Sequence, residues 1–136
     1  MKLINFLRML LVVLLLSFGL VSCTQKEPLT KQQATDIGLN AIKALDQGDY
    51  KAYTRDFTVM MKSVVPEKDF MAYHETAQQN LGKFVNFEKV EQVPAETEGF
   101  IRWQYTCVFE KGKMLLSLVF KENGRRIESV HFANAG

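Results

Sequence analysis

An α+β domain, with N-terminal helices packed on a four-stranded antiparallel sheet, is predicted by three observations. Apolar residues recur at helical spacing as far as Leu81, and after Gly82 the period drops from about 3.6 residues to 2. Ile101, Trp103, Tyr105, Cys107 and Phe109 then alternate with Arg102, Gln104, Thr106 and Glu110, the pattern of a strand with one packed and one wet face. Asn123-Gly124 stands between two apolar runs, a pair that tolerates positive φ and so suits a type I′ hairpin. Helices followed by strands on short turns give segregated layers, with the helices covering one sheet face.

The elements follow in order. Thr30 and Gln33 form a capping-box pattern, which opens a helix over 31–47 with Ala34, Ile37, Ala41 and Leu45 on one face. Gly38 costs a helix interior about 1 kcal/mol relative to Ala, so it marks a close approach of another backbone. Gly48 is a natural stop. A shorter helix is expected over 49–57 with Tyr50, Tyr53 and Phe57 as its stripe. The segment 57–65 fits strand, loop or helical turn, and Met60-Met61 reads as flexible core filling. The third helix starts at Pro66, whose missing N–H costs nothing in a first turn, and Glu67 and Asp69 favour the same end. Its stripe is Phe70, Tyr73, Ala77 and Leu81.

Strands are expected over 83–93, 100–110, 113–121 and 126–133. A Lys111-Gly112 turn leads into the third, whose core face is Met114, Leu116, Leu118 and Phe120. In the fourth, Ile127 points one way and Val130 and Phe132 the other, which a bulge reconciles.

Ahead of this domain, Lys2 and Arg8 precede an uncharged apolar run from Met9 to Val21, 13 residues long. A spanning helix needs about 20 such residues, whereas an export signal needs a basic start and an apolar centre of roughly 7–15. No alanine precedes Ala34, so an Ala-x-Ala cleavage site is missing. Leu20-Val21-Ser22-Cys23 instead resembles the bacterial lipobox. That resemblance implies a cleaved signal over 1–22, a lipidated Cys23, a tether over 23–29 and a domain over 30–136. It implies anchoring in the cell envelope through a diacylglyceryl thioether and an acyl chain such as palmitate, more than the two-chain threshold for stable attachment. Thr24 after the cysteine would direct a Gram-negative protein to the outer membrane.

Removing 1–22 takes away Lys2 and Arg8, which leaves 15 Lys and Arg against 15 Asp and Glu. A neutral domain with scattered bases is a poor partner for nucleic acid. With Cys23 committed to lipid, Cys107 is a lone thiol inside an apolar strand, where cysteine acts as a small hydrophobe. His74 and His131 lie on different elements without metal-ligand spacing, and no phosphate loop or nucleophile elbow occurs. No metal or cofactor is called for.

Leu45-Asp46-Gln47-Gly48-Asp49-Tyr50, the aromatic pair Tyr53 and Phe57, Leu81-Gly82-Lys83-Phe84 and the terminal meander together resemble the nuclear-transport-factor-2-like (cystatin-like) superfamily. More narrowly, they resemble one of its bacterial envelope families of unknown function. The resemblance implies a curved, cone-like sheet wrapped over helices, with an apolar pocket at its open end. Pocket-lining candidates are Trp103, Tyr105, Cys107, Phe109, Leu116, Leu118, His131 and Tyr73. The leading expectation is non-catalytic binding of a small apolar ligand or a protein partner. An isomerase or dehydratase would instead need a carboxylate base, from Asp56 or Glu128, beside Tyr105 as donor. A third reading is an adaptor that dimerises through the outer sheet face, where Arg102, Gln104 and Thr106 argue against an apolar patch.

Overall fold

The structure, a computed structural model, describes residues 27–136. The expected signal over 1–22, the lipidated Cys23 and the first residues of the tether lie outside the described residues. Among those described, the tether's last residue, Leu29, is already buried in the core, and the Arg125 guanidinium donates to the Glu27 carbonyl at 2.7 Å.

Helix α1 (Lys31–Gln47) opens with both bonds of its capping box. The Thr30 hydroxyl accepts from the Gln33 N–H, and the Gln33 side chain accepts from the Thr30 N–H. It buries Ala34, Gly38, Ala41, Ile42, Ala44 and Leu45, and ends at Gly48, whose φ of 69° lets the cap N–H turn back to the last carbonyls. Helix α2 (Tyr50–Tyr53) is shorter than the expected 49–57. Phe57 leaves the helical path to form a parallel bridge with Ile127, and the backbone bonds Ile127 N to Asp56 O and Thr58 N to Ile127 O need an extended chain.

The ambiguous segment resolves as helix α3 (Val59–Val64), capped by the Thr58 hydroxyl on the Met61 N–H. Only Met61 fills the core as expected; Met60 is 74 % exposed. Helix α4 (Glu67–Leu81) has Pro66 at its cap rather than in its first turn. Its inward face is rotated from the expected stripe. Phe70 is buried, but Tyr73 is 59 % exposed, because His74 and Gln78 turn inward to satisfy the end of α1. His74 Nδ1 lies 2.7 Å from the Leu45 carbonyl, and the Gln78 amide donates to the Asp46 carbonyl and carboxylate.

The sheet is an antiparallel meander of β1 (Phe84–Val93), β2 (Phe100–Phe109), β3 (Gly112–Lys121) and β4 (Ile127–Asn134) in that order. In β1, Phe84, Phe87 and Val90 face the same side as Phe109, Cys107 and Tyr105. Their spacing of three reflects two register shifts, and bulges of this kind bend and twist a strand. β2 alternates as expected, with its odd-numbered residues buried. On β3, Leu116, Leu118 and Phe120 are fully buried and Met114 partly so. The bulge expected in β4 falls at Glu128: Phe120 pairs with Ile127 and Val119 with Ser129, which puts Ile127, Val130 and Phe132 on the core side together.

Both turns differ from expectation. The β2–β3 turn is Glu110-Lys111, with Gly112 already paired to Phe109. Asn123-Gly124 is not a type I′ turn, since neither residue has positive φ. The Gly124 N–H closes a turn on the Lys121 carbonyl, and the chain continues to Ile127 with Arg125 and Arg126 bonded to the Glu27 and Arg55 carbonyls. Those two anchors demand a longer loop than a two-residue hairpin.

Candidate functional site

Six of the expected pocket residues are core. Trp103, Tyr105, Cys107, Phe109, Leu116 and Leu118 are all at most 5 % exposed. The reason is Gly38, which lets α1 approach so closely that its backbone meets the Tyr105 ring. The Tyr105 hydroxyl then donates to the Ala34 carbonyl at 2.6 Å, and Phe87 packs on the other ring contact with centroids 5.1 Å apart. The helix fills what a cone interior would leave open. Tyr105 is therefore committed as a donor, and the isomerase constellation is not assembled. Asp56 is held by Arg55 at 2.9 Å and by Asn40, while Glu128 lies on the opposite sheet face.

Burial raises the Cys107 thiol to about 12, outweighing a lowering bond to the Leu116 backbone. It also raises the Tyr105 and Tyr53 phenols, with small further contributions from Cys107 and Tyr73 respectively. The fold thus favours the protonated form of all three. Above the ordinary values of 9.0 for the thiol and 10.0 for the phenols, the unfolded chain sheds protons that the folded chain keeps. Their contribution to stability is complete below pH 9 and is lost as pH rises. The urea midpoint is expected to fall from about pH 9 upward, with Cys107→Ala moving the onset toward 10; a midpoint identical in both proteins across this range would contradict it. Cys107 should react with a thiol reagent only as fast as the protein unfolds.

His131 lies on the other side of the sheet, where it pairs with Ser117. There, outward residues of three strands form the floor of a groove of about 560 Å³. Arg102, Val119 and Ser129 make one rung across β2, β3 and β4, and Gln104, Ser117 and His131 the next. Residues directly opposite on neighbouring strands have Cβ atoms roughly 5 Å apart. Ala95, Glu96 and Thr97 of the β1–β2 loop form one wall, with Phe100 and Glu128 at the ends. Arg102 is the central group. One terminal nitrogen lies 3.6 Å from the Glu96 carboxylate, which is 90 % exposed, and its buried Nε has no hydrogen-bond partner among the described residues. The Nε is closed off from the groove, but the side chain is one-third exposed, so its terminal nitrogens can donate to a further oxygen there. Glu128, 4.0 Å from Lys121, is a second carboxylate of the groove beside Glu96. Sequence alternation placed Arg102 outward, but nothing in the sequence showed that the 94–99 loop would wall it in.

Tyr73 belongs to a separate cleft of about 220 Å³, between α4 and the β3–β4 edge, lined by Leu45, Ala77, Leu81, Met114 and Phe132. The candidates Tyr73 and His131 are thus in different places, and neither joins the other six. Among the described residues no cluster of three or more His, Cys, Asp or Glu gathers as a metal site would require. Likewise no helix among them is long and apolar enough to cross a membrane.

Comparison with known proteins bears on fold and family. An NMR structure of a protein from Ruminococcus gnavus ATCC 29149 is similar with a TM-score of 0.62 and 18 % identity, over 79 % of this chain and 96 % of that one. It shares the fold. No curated protein matches the chain. Residues 39–127, from the middle of α1 to the first residue of β4, match the family described as "Protein of unknown function (DUF3887)". The match takes in the turn at Gly48, the aromatic cluster and the first three strands, and the chain belongs to the DUF3887 family.

Proposed function

We propose that the protein is a lipid-anchored envelope protein whose nuclear-transport-factor-2-like domain binds a small anionic ligand non-covalently, in the groove on the outer sheet face. The observation that carries this reading is the Arg102 guanidinium. It lies in the floor of a groove of ligand size with its side chain one-third exposed, and its ion pair among the described residues is long and made with a solvent-exposed carboxylate. Pockets for small molecules are typically about 300–1,000 Å³. Arginine holds carboxylate or phosphate oxygens through two parallel N–H bonds, and Ser117, Ser129 and His131 supply further polar contacts along the same floor. Between α1 and the buried face of β2, among the described residues, the side chains are packed solid, and the apolar cleft beside Tyr73 is smaller than that range.

Two features support the remainder. The order of helices followed by a bulged antiparallel meander resembles that of the cone-like superfamily. The Lys2/Arg8, apolar run and Leu20-Val21-Ser22-Cys23 series supports export and lipidation. The test is an NMR titration of the protein with succinate, benzoate and inorganic phosphate. Amide shifts are expected at Arg102, Ser117, Ser129 and His131, with Arg102→Gln weakening binding at least tenfold while the melting temperature stays within about 4 °C. Shifts scattered over the surface, or unchanged in the variant, would refute the groove.

A further inference from the structure

We propose that α3 is a membrane-contacting element, its outer face of Val59, Met60 and Val64 inserting into the bilayer interface beside the lipidated Cys23. This rests on the lipoprotein reading above. On this six-residue helix Met61 turns inward, while Val59, Met60 and Val64 are 89 %, 74 % and 63 % exposed. Met60 and Val64 are four residues apart and stack on one side of the helix. A surface helix ordinarily carries polar residues there.

The position of this face gives it an occupant. The first described residues lie at the same end of the molecule. The Arg125–Ile127 segment holds the Glu27 carbonyl through its first residue and the Arg55 carbonyl through its second. Through its third it holds the backbones of Asp56 and Thr58, the latter being the N-cap of α3. Cys23 is four residues before Glu27, which limits their separation to about 14 Å. Acyl chains on Cys23 stay in the hydrocarbon, so the surface within that reach must face the headgroups.

The charges around the face do not select an anionic partner. Arg55 is paired to Asp56, Lys62 and Lys68 are matched in number by Glu67 and Asp69 along the chain, and Arg125 and Arg126 are engaged with the Glu27 and Arg55 carbonyls. Attraction must then come from apolar burial, the way interfacial helices bind. Three side chains are far too few for a stable protein interface, which needs roughly 800 Å² per partner. They suffice for a lipid surface because the anchor already holds the helix at high local concentration.

The experiment uses the full-length protein purified from membranes and reconstituted into phosphatidylcholine–phosphatidylglycerol vesicles. Met60→Cys is labelled with an environment-sensitive fluorophore, and Glu75→Cys on the exposed side of α4 is the comparison; buried Cys107 stays unlabelled. The Met60 label is expected to shift to the blue and to be quenched several-fold more than the Glu75 label by lipids spin-labelled near the headgroup, in low and high salt alike. Added Val59→Ser and Val64→Ser changes should reduce that quenching. Intact mass reads acylation of Cys23 in the same sample. An unmodified Cys23 overturns the lipoprotein reading itself. An acylated protein whose Met60 label stays in water overturns only the insertion. Quenching lost in high salt would mean electrostatic adsorption, and a blue shift without quenching that grows with protein density would mean contact with a second copy. Either result refutes insertion.

Discussion

Phe70→Ala is expected to cost about 3–5 kcal/mol, the range for emptying a fully buried phenylalanine site. Phe70 is the only residue of α4 that is fully buried, at 1 % exposure, and its ring packs on Tyr53 and Tyr50 with centroids 4.7 and 5.6 Å apart. Removing it takes away the main apolar attachment of a 15-residue helix, leaving the partly buried Met71 and Leu81. Small domains carry only about 5–15 kcal/mol in total, and each kcal/mol moves the melting temperature of a domain near this size by about 4–8 °C. A fall of roughly 12 °C or more is therefore expected in a thermal melt followed by circular dichroism. Hydrogen exchange should show α4 amides losing protection more than those of β2 and β3. Phe70→Leu should recover most of the loss. If alanine cost under about 1 kcal/mol, the polar ties from His74 and Gln78 to the end of α1 would be what holds the helix.

Gly38→Ala is the second large effect, and its sign runs against helix propensity. Propensity alone would stabilise the helix by about 1 kcal/mol. The new methyl, however, would overlap the Tyr105 ring, whose Cζ and Cδ1 lie 2.6 and 2.9 Å from its position. Tyr105 cannot easily yield, being fully buried, bonded to Ala34 and packed against the tilted Phe87 ring. Overpacking of this kind costs about 1–3 kcal/mol, and a net loss of about 2 kcal/mol is expected in urea unfolding. A double-mutant cycle isolates the cause. In a Tyr105→Leu background the same Gly38→Ala change should be neutral or stabilising; an equal loss in both backgrounds would place the strain elsewhere.

Much of this was legible from local pattern. Thr30 and Gln33 announced the start of α1 because capping is a contact between residues three apart. The alternation of β2 gave the buried face because successive strand side chains must point to opposite sides. Ile127 against Val130 and Phe132 revealed the β4 bulge, since only an extra residue puts both parities on one face. Misreadings arose where a distant group set the outcome. Tyr73 matched the α4 stripe, yet the carbonyls ending α1 drew His74 and Gln78 inward and rotated the helix. Asn123-Gly124 suited a tight hairpin, but Arg125 and Arg126 reach carbonyls of Glu27 and Arg55, far away in the chain, and lengthen the loop. Met60 and Met61 are indistinguishable by composition; the Phe57–Ile127 bridge decides which one faces the core.

By itself the sequence determined the layers, the strand order and which side of β2 and β3 would be dry, because periodicity and turn chemistry act over a few residues. Only the tertiary structure decided where empty space would remain. Volume between elements depends on how closely they approach, and one glycine closed the expected interior against α1. A single loop, folding over Arg102, opened a groove on the opposite face.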